Sequence, residues 1–344
     1  MNKKVITSIV SIILICSLFS LFLIGCKDKG DNDGADPINV KVVVPDGSPA
    51  ITIAKLLADK PAYDGYNLSY EIVSGAQAIG AKLSNGEANI AIAPTNLGAT
   101  LYNKTHSIKL VATAVQGALY MVGKQNLVGD STEQKLNSLK GKTVYNIGQA
   151  ATPGYTFKYI LDHYEIPYQE NAEENAGYVN LKYVQEGSQL IGLFKTNKAE
   201  FGILGEPAVT NANNATGTTT QLSIQDVWNE VTSTVGGLPQ ASVFVKNDLL
   251  SEEHADFINW FIAKMEESST WVKTNTADAL VALQDAGSVS LKNLKSEVVE
   301  RCNIKVVKAS QAKSGVNTYL SSLYAFDPTT VGNSIPNDDF YHLG

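Results

Sequence analysis

Arginine is almost absent: Arg301 is the only one in 344 residues. Amino-acid binders commonly grip the ligand's α-carboxylate with a bidentate guanidinium. Arg301 falls in a predicted helix, Ser296 to Cys302, far from every loop expected to form a site, so capture through an arginine fork is not expected. A bound anion would have to be held by helix N-termini, hydroxyls or lysine. Histidine is nearly as scarce. His106, His163, His254 and His342 are scattered, with no pair at ligand spacing and no CxxC, so no metal site is expected. There is no GxSxG elbow, no HExxH and no GxGxxG, and Gly141-Lys142-Thr143 lacks the upstream glycine of a phosphate loop and leads into a strand. No catalytic residue and no cofactor is expected.

Of three cysteines, Cys16 and Cys26 belong to the N-terminal region, so Cys302 has no partner for an intrachain disulfide. The same region holds the one long apolar run. Lys3 and Lys4 precede Val5 to Ile24, which ends in Leu23-Ile24-Gly25-Cys26. This pattern reads as a signal peptide over residues 1–25 with a lipobox-like end, leaving Cys26 as a lipid-modified N-terminus. The alternative is an uncleaved membrane-spanning helix, since about 20 apolar residues can cross a bilayer. Either way the remainder lies on the extracytoplasmic side of a bacterial cell membrane. Residues 26–37, polar and rich in Gly and Asp, read as a flexible tether. The net charge of −7 argues against a nucleic-acid partner. With 44% hydrophobic and 18% charged residues, the 344-residue chain has globular composition and room for about two domains.

The stretch Lys142 to Tyr164 changes period from two to 3.6, so it reads as a strand, a loop and a helix. Thr152 is expected to be the N-cap, with Pro153 at the first helical position. The strand Asn39 to Val44, followed by Pro45-Asp46-Gly47 and Ser48-Pro49, repeats the arrangement. A second match supports a duplication: Ser74 to Gly86 and Glu186 to Lys198 share Gly75/Gly187, Gln77/Gln189, Ile79/Ile191, Gly80/Gly192 and Asn85/Asn197. One residue's shift then aligns Ala88 to Ile92 with Ala199 to Ile203. Each unit reads βαβαβ, which predicts an α/β fold of two lobes, each a mainly parallel sheet flanked by helices, with a cleft between them. Gln116 to Lys124 and Gly236 to Lys246 are the expected crossovers. After Lys246, a helix from Glu253 to Lys273 should pack its aromatics on the first lobe, and another is expected around Ser314 to Tyr324.

Leu139-Lys140-Gly141-Lys142-Thr143-Val144, Thr152-Pro153-Gly154 and Glu206-Pro207 after Phe201-Gly202-Ile203-Leu204 carry a family likeness. Over nearly all of the chain beyond the leader, the sequence resembles type II periplasmic-type substrate-binding lipoproteins of ABC importers, in the branch of nitrate, sulfonate, taurine and thiamine-pyrimidine-precursor binders. The resemblance implies the type II periplasmic-binding-protein fold, with residues 38–120 and 240–344 in lobe 1 and 121–239 in lobe 2. It also implies a non-enzymatic monomer that captures a small molecule and docks on a permease and ATPase complex. Ligand contacts are then expected from Asp46, Gly47, Ser48, Ser74, Gly75, Thr95 and Asn96 on the first lobe. Thr152, Pro153, Gly154, Tyr155, Gly187, Ser188, Gln189 and Glu206 are expected on the second, with Tyr120 forming a wall. A sulfonate or nitrate-like anion suits the Ser48 and Thr152 helix starts. A thiamine pyrimidine precursor would suit Glu206, Asp46 and the tyrosines, although Glu206 can equally serve its own helix start. A secreted enzyme or sensor ectodomain on the same fold is the alternative function.

Overall fold

A computed structural model describes residues 36–149, 151–234 and 237–344. The predicted signal peptide, Cys26 and nearly all of the tether lie outside the described residues. Among those described, no helix is long and apolar enough to cross a membrane.

Residues Ile38–Gly344 carry two six-stranded sheets flanked by helices. The first takes β1 (Ile38–Pro45), β2 (Tyr66–Val73), β3 (Ile90–Pro94) and β4 (Ile108–Val115). The chain then crosses to the second sheet and adds β5 (Leu119–Gly123), β6 (Thr143–Ile147), β7 (Tyr168–Glu170), β8 (Val179–Val184), β9 (Phe201–Gly205) and β10 (Thr219–Ser223). It returns with β11 (Ala241–Lys246) and β12 (Ile304–Lys308). The strand orders are β12-β4-β11-β3-β1-β2 and β10-β5-β9-β6-β8-β7. The crossings therefore lie between β4 and β5 and between β10 and β11.

The strand registers match the internal repeat. Parallel β2 and β3 flank β1 just as parallel β8 and β9 flank β6. Val42 pairs with Ile90 and Val144 with Phe201, and Ile90 and Phe201 are equivalent in the aligned halves. Each half then gains an antiparallel strand from beyond a crossover, β11 on β3 and β5 on β9. The β-branched run of β1 explains its central place. Val40, Val42, Val43 and Val44 are all fully buried, as strands covered on both faces require.

Helix Ala255–Trp271 buries Phe257, Phe261 and Met265 in the first lobe, with Trp260 and Trp271 at its margin, as expected. Each fully buried large apolar side chain contributes about 1.5–3 kcal/mol. Space is tight elsewhere: a Cβ on Gly98, in helix Thr95–Thr105, would stand 1.9 Å from Phe244 Cζ, so only hydrogen fits.

The C-terminal helix, Ala309–Phe326, is longer than expected and follows β12 of the first sheet. It nonetheless packs against helix Thr152–His163 of the second lobe. Its buried Tyr319 meets the Trp228 ring at 5.8 Å and 78°. One apolar core therefore runs through both lobes, from Val43 and Phe244 to Val144, Phe157 and Trp228.

Candidate ligand-binding site

The loops at the carboxyl ends of β1 and β3 meet those of β6 and β9 across a cleft. Glycine sets the first of them: Gly47 has φ 109°, a conformation L-residues rarely adopt, and it rather than Ser48 is the N-cap of helix Ser48–Ile51. The second differs from expectation in the same way, because Ala151 caps helix Thr152–His163 and Thr152 is its first residue. Neither hydroxyl caps its own helix. Both instead reach across the cleft. Ser48 Oγ donates to the Glu206 carbonyl at 3.0 Å, and Thr152 Oγ1 donates to Asn96 Oδ1 at 3.2 Å while accepting from Tyr319 OH at 3.0 Å. Tyr155 OH adds a third crossing, donating to Asp327 Oδ2 at 3.0 Å. Burial, then Asp327, pushes the Tyr155 hydroxyl up to about 12, so it stays a donor.

Arg301 is not remote from the site. Ile304 of β12 pairs with Val115 at the end of β4, and this register brings helix Ser296–Arg301 to the first crossover. Arg301 Nε lies 2.8 Å from Glu206 Oε1, off the angle of an aligned hydrogen bond, and Nη2 donates to Thr220 Oγ1 at 3.1 Å. The guanidinium covers the Tyr120 ring at 4.9 Å, and Tyr120 OH donates to the Arg301 carbonyl. The Glu206 side chain is 0% exposed and that of Arg301 32%. Glu206 also accepts from the backbone N–H and the hydroxyl of Thr210, at the start of its own helix. Burial raises its pKa against the pull of Arg301 and Thr210. Beside them Cys302 is buried, its thiol pushed up to about 12 by burial.

Asp46 is likewise engaged within the protein. Its Oδ1 accepts from Gly47 N–H and Ser288 Oγ, and its Oδ2 from the N–H groups of Val289 and Ser290, all within 2.9 Å. An ionised carboxylate has about four lone-pair sites, so these donors fill them. Burial pushes the Asp46 pKa up, but the bonds from Ser288, Ser290 and Val289 outweigh it and the net shift is downward.

Of the other expected contacts, Thr95 is buried and bonded to the Pro239 carbonyl and Ser242. Gln189 turns back to its own helix, accepting from Gln185 and Glu186 N–H, while Ser188 donates to Glu186. Gly187 starts that helix close to Leu204 and Ala208, and Gly154 packs on the carbonyls of Gly148 and Gln149. Pro153 lies in the first turn beside them. Ser74 and Gly75 lie between β2 and helix Ala76–Ser84, Gly75 as its N-cap. Asp46, Gly47, Ser48, Ser188 and Glu206 come together around a cavity of about 680 Å³ between the lobes, together with Gln240, Val289, Ser290 and Lys292. Tyr319 falls in the helix expected around Ser314 to Tyr324, but no sequence signal gives its partner, or places Arg301, Asp327, Val289 or Lys292 at the cleft.

This architecture is the two-lobed fold of periplasmic binding proteins. No family model matches the sequence, and no curated protein does. Solved structures do match. An ABC transporter from Parabacteroides distasonis aligns with a TM-score of 0.74 at 22% identity, over 90% of this chain and 99% of that one. The periplasmic aliphatic sulphonate binding protein SsuA from Escherichia coli aligns at 0.64 and 12%, over 88% and 91%. The alkanesulfonate-binding protein SsuA from Xanthomonas axonopodis pv. citri bound to MOPS aligns at 0.56 and 12%, over 88% and 96%. At these identities the likeness is one of fold.

Proposed function

We propose that this chain is the extracytoplasmic solute-binding lipoprotein of an ABC importer, anchored through Cys26, which closes its lobes on a small molecule and delivers it to a permease and ATPase complex. The observation that carries this reading is the set of direct bonds from one lobe to the other: Ser48 to Glu206, Thr152 to Asn96 and Tyr155 to Asp327. A ligand that touches both loop sets binds the closed arrangement better and so drives closure. The neighbours in fold include an ABC transporter protein and a periplasmic sulphonate binding protein, which supports a receptor over an enzyme.

Within this reading an oxyanion, a sulfonate before nitrate, is the better-supported ligand. The carboxylates that would suit an amino-bearing pyrimidine, Asp46 and Glu206, already have partners inside the protein. A thermal-shift screen of sulfonates, nitrate, bicarbonate, pyrimidines, vitamins and amino acids tests it, paired with small-angle scattering for closure. A ligand at 100 times its Kd adds roughly 2.7 kcal/mol of stability. A shift without compaction, or turnover of a bound compound, would count against a transport receptor.

A further inference from the structure

The segment Ser288 to Lys292 has no counterpart in the duplicated βαβαβ units. It follows helix Thr276–Asp285 and lies over the β1 turn, held there by the Asp46 carboxylate. Ser288 Oγ also accepts from Leu291 N–H, and Leu291 is buried in the first-lobe core, so the loop is fixed at both ends. Between these anchors Val289 is 72% exposed. A β-branched apolar residue on a loop so tightly bonded gains nothing for the fold by facing outward, yet it lines the cleft cavity. So do Pro49, Ile191, Pro207 and Ala208, which give the cavity further apolar wall on both lobes.

Charge completes the picture. Asp46, Glu206 and Lys292 are the charged residues around this cavity. The four donors on Asp46 satisfy its lone pairs and keep it ionised, Arg301 offsets the charge of Glu206, and among the described residues Lys292 is the one cation that lines this cavity. At about 680 Å³ the cavity is also far roomier than a bare inorganic oxyanion needs.

We infer that the Asp46-held loop is the specificity element of the cleft: Lys292 takes the charge of an organic monoanion and Val289 covers its hydrocarbon body. This rests on the solute-receptor reading above and narrows its ligand class. Asp46 acts as a positioning residue, shaping selectivity through the loop without touching ligand.

The test is calorimetric titration of the full chain with linear sulfonates from methane- to octanesulfonate, with nitrate and a neutral alkanol as controls, each accompanied by scattering for compaction. Affinity should rise by about fourfold per added methylene until the cavity is filled. Nitrate and the alkanol should bind at least tenfold more weakly than the best sulfonate. Lys292→Gln should lower affinity about tenfold across the series. Val289→Ala should flatten the chain-length slope, with its smallest loss on methanesulfonate and its largest on the longest chain that fits. Asp46→Asn should flatten the slope as Val289→Ala does, a readout that a purely stabilising Asp46 would not move. Tightest binding by nitrate or the alkanol, or an unchanged slope in both Val289→Ala and Asp46→Asn, overturns the inference. If a compound without an anionic group alone binds and compacts the protein, the receptor reading stands and the inference falls. If nothing tested binds, the inference falls, and the receptor reading falls with it only if the wider screen of bicarbonate, pyrimidines, vitamins and amino acids is also silent.

Discussion

Replacing Arg301 with methionine tests the electrostatics of the cleft wall directly. The substitution keeps an unbranched apolar stem and removes the guanidinium, with it the charge that faces Glu206, the cation over the Tyr120 ring and the bond to Thr220. Taking one partner from a buried ion pair costs about 3–5 kcal/mol, because the other charge is left in low dielectric. Two features lower that figure here: the Arg301 side chain is 32% exposed, and Thr210 keeps both of its bonds to the carboxylate. We expect a loss of about 2–3 kcal/mol at pH 7. Glu206→Gln should cost less, about 1 kcal/mol, since the guanidinium left behind can turn to water. The assay is urea denaturation followed by tryptophan fluorescence. The shared core through Tyr319 and Trp228 should give one transition for both lobes.

The pH dependence supplies the sign. Burial holds the Glu206 pKa above its ordinary value of about 4.3, so the folded state binds the proton more tightly than the unfolded chain. Its contribution is therefore most favourable below the unfolded pKa and declines as pH rises through the folded value. Without Arg301 the folded pKa climbs further, so the deficit of the Arg301→Met variant should shrink as pH falls from 7 toward 5, while Glu206→Gln removes this dependence. A deficit that grew on acidification, or Glu206→Gln costing as much as Arg301→Met, would refute the assignment of the pair as a buried carboxylate served by a half-exposed cation.

Three further outcomes follow from packing and bonding. Gly98→Ala drives a methyl group into the Phe244 ring and should destabilise the protein by about 1–3 kcal/mol, read as a lower melting temperature, with Gly98→Ala/Phe244→Leu recovering part of the loss. Cys302, buried with its thiol pushed up to about 12, should resist iodoacetamide in the native protein at pH 8 and react fully in urea. Thr152→Val removes both the bond to Asn96 and the one from Tyr319; it should weaken affinity for whichever ligand the screen finds by about tenfold, and titration of that ligand checks it.

What could be read from the sequence was local or repeated. Period changes located β1, β6 and their helices, and the duplicated Gly-Gln-Ile-Gly pattern anticipated two βαβαβ units, one for each sheet. What could not be read was long-range. Ser48 and Thr152 have the residue types of N-caps, but a hydroxyl one position into the helix is free to find a partner on another lobe, and composition cannot show that. Arg301 is near Glu206 only because β12 pairs antiparallel with β4 in one register, a contact between segments almost two hundred positions apart. Asp46 resembled a ligand group because nothing in its neighbourhood predicts a loop from beyond residue 287 arriving to occupy it.

The strand orders also constrain how the chain can be made. All six strands of the second sheet lie in one continuous stretch, from Leu119 to Ser223, whereas the first sheet needs β11 between β3 and β4 and β12 at its edge. During synthesis the second sheet can thus pair all its strands while the first still has a vacant slot, with the open edges of β3 and β4 unprotected until residue 246 has emerged. Open edges of this kind invite pairing with other chains.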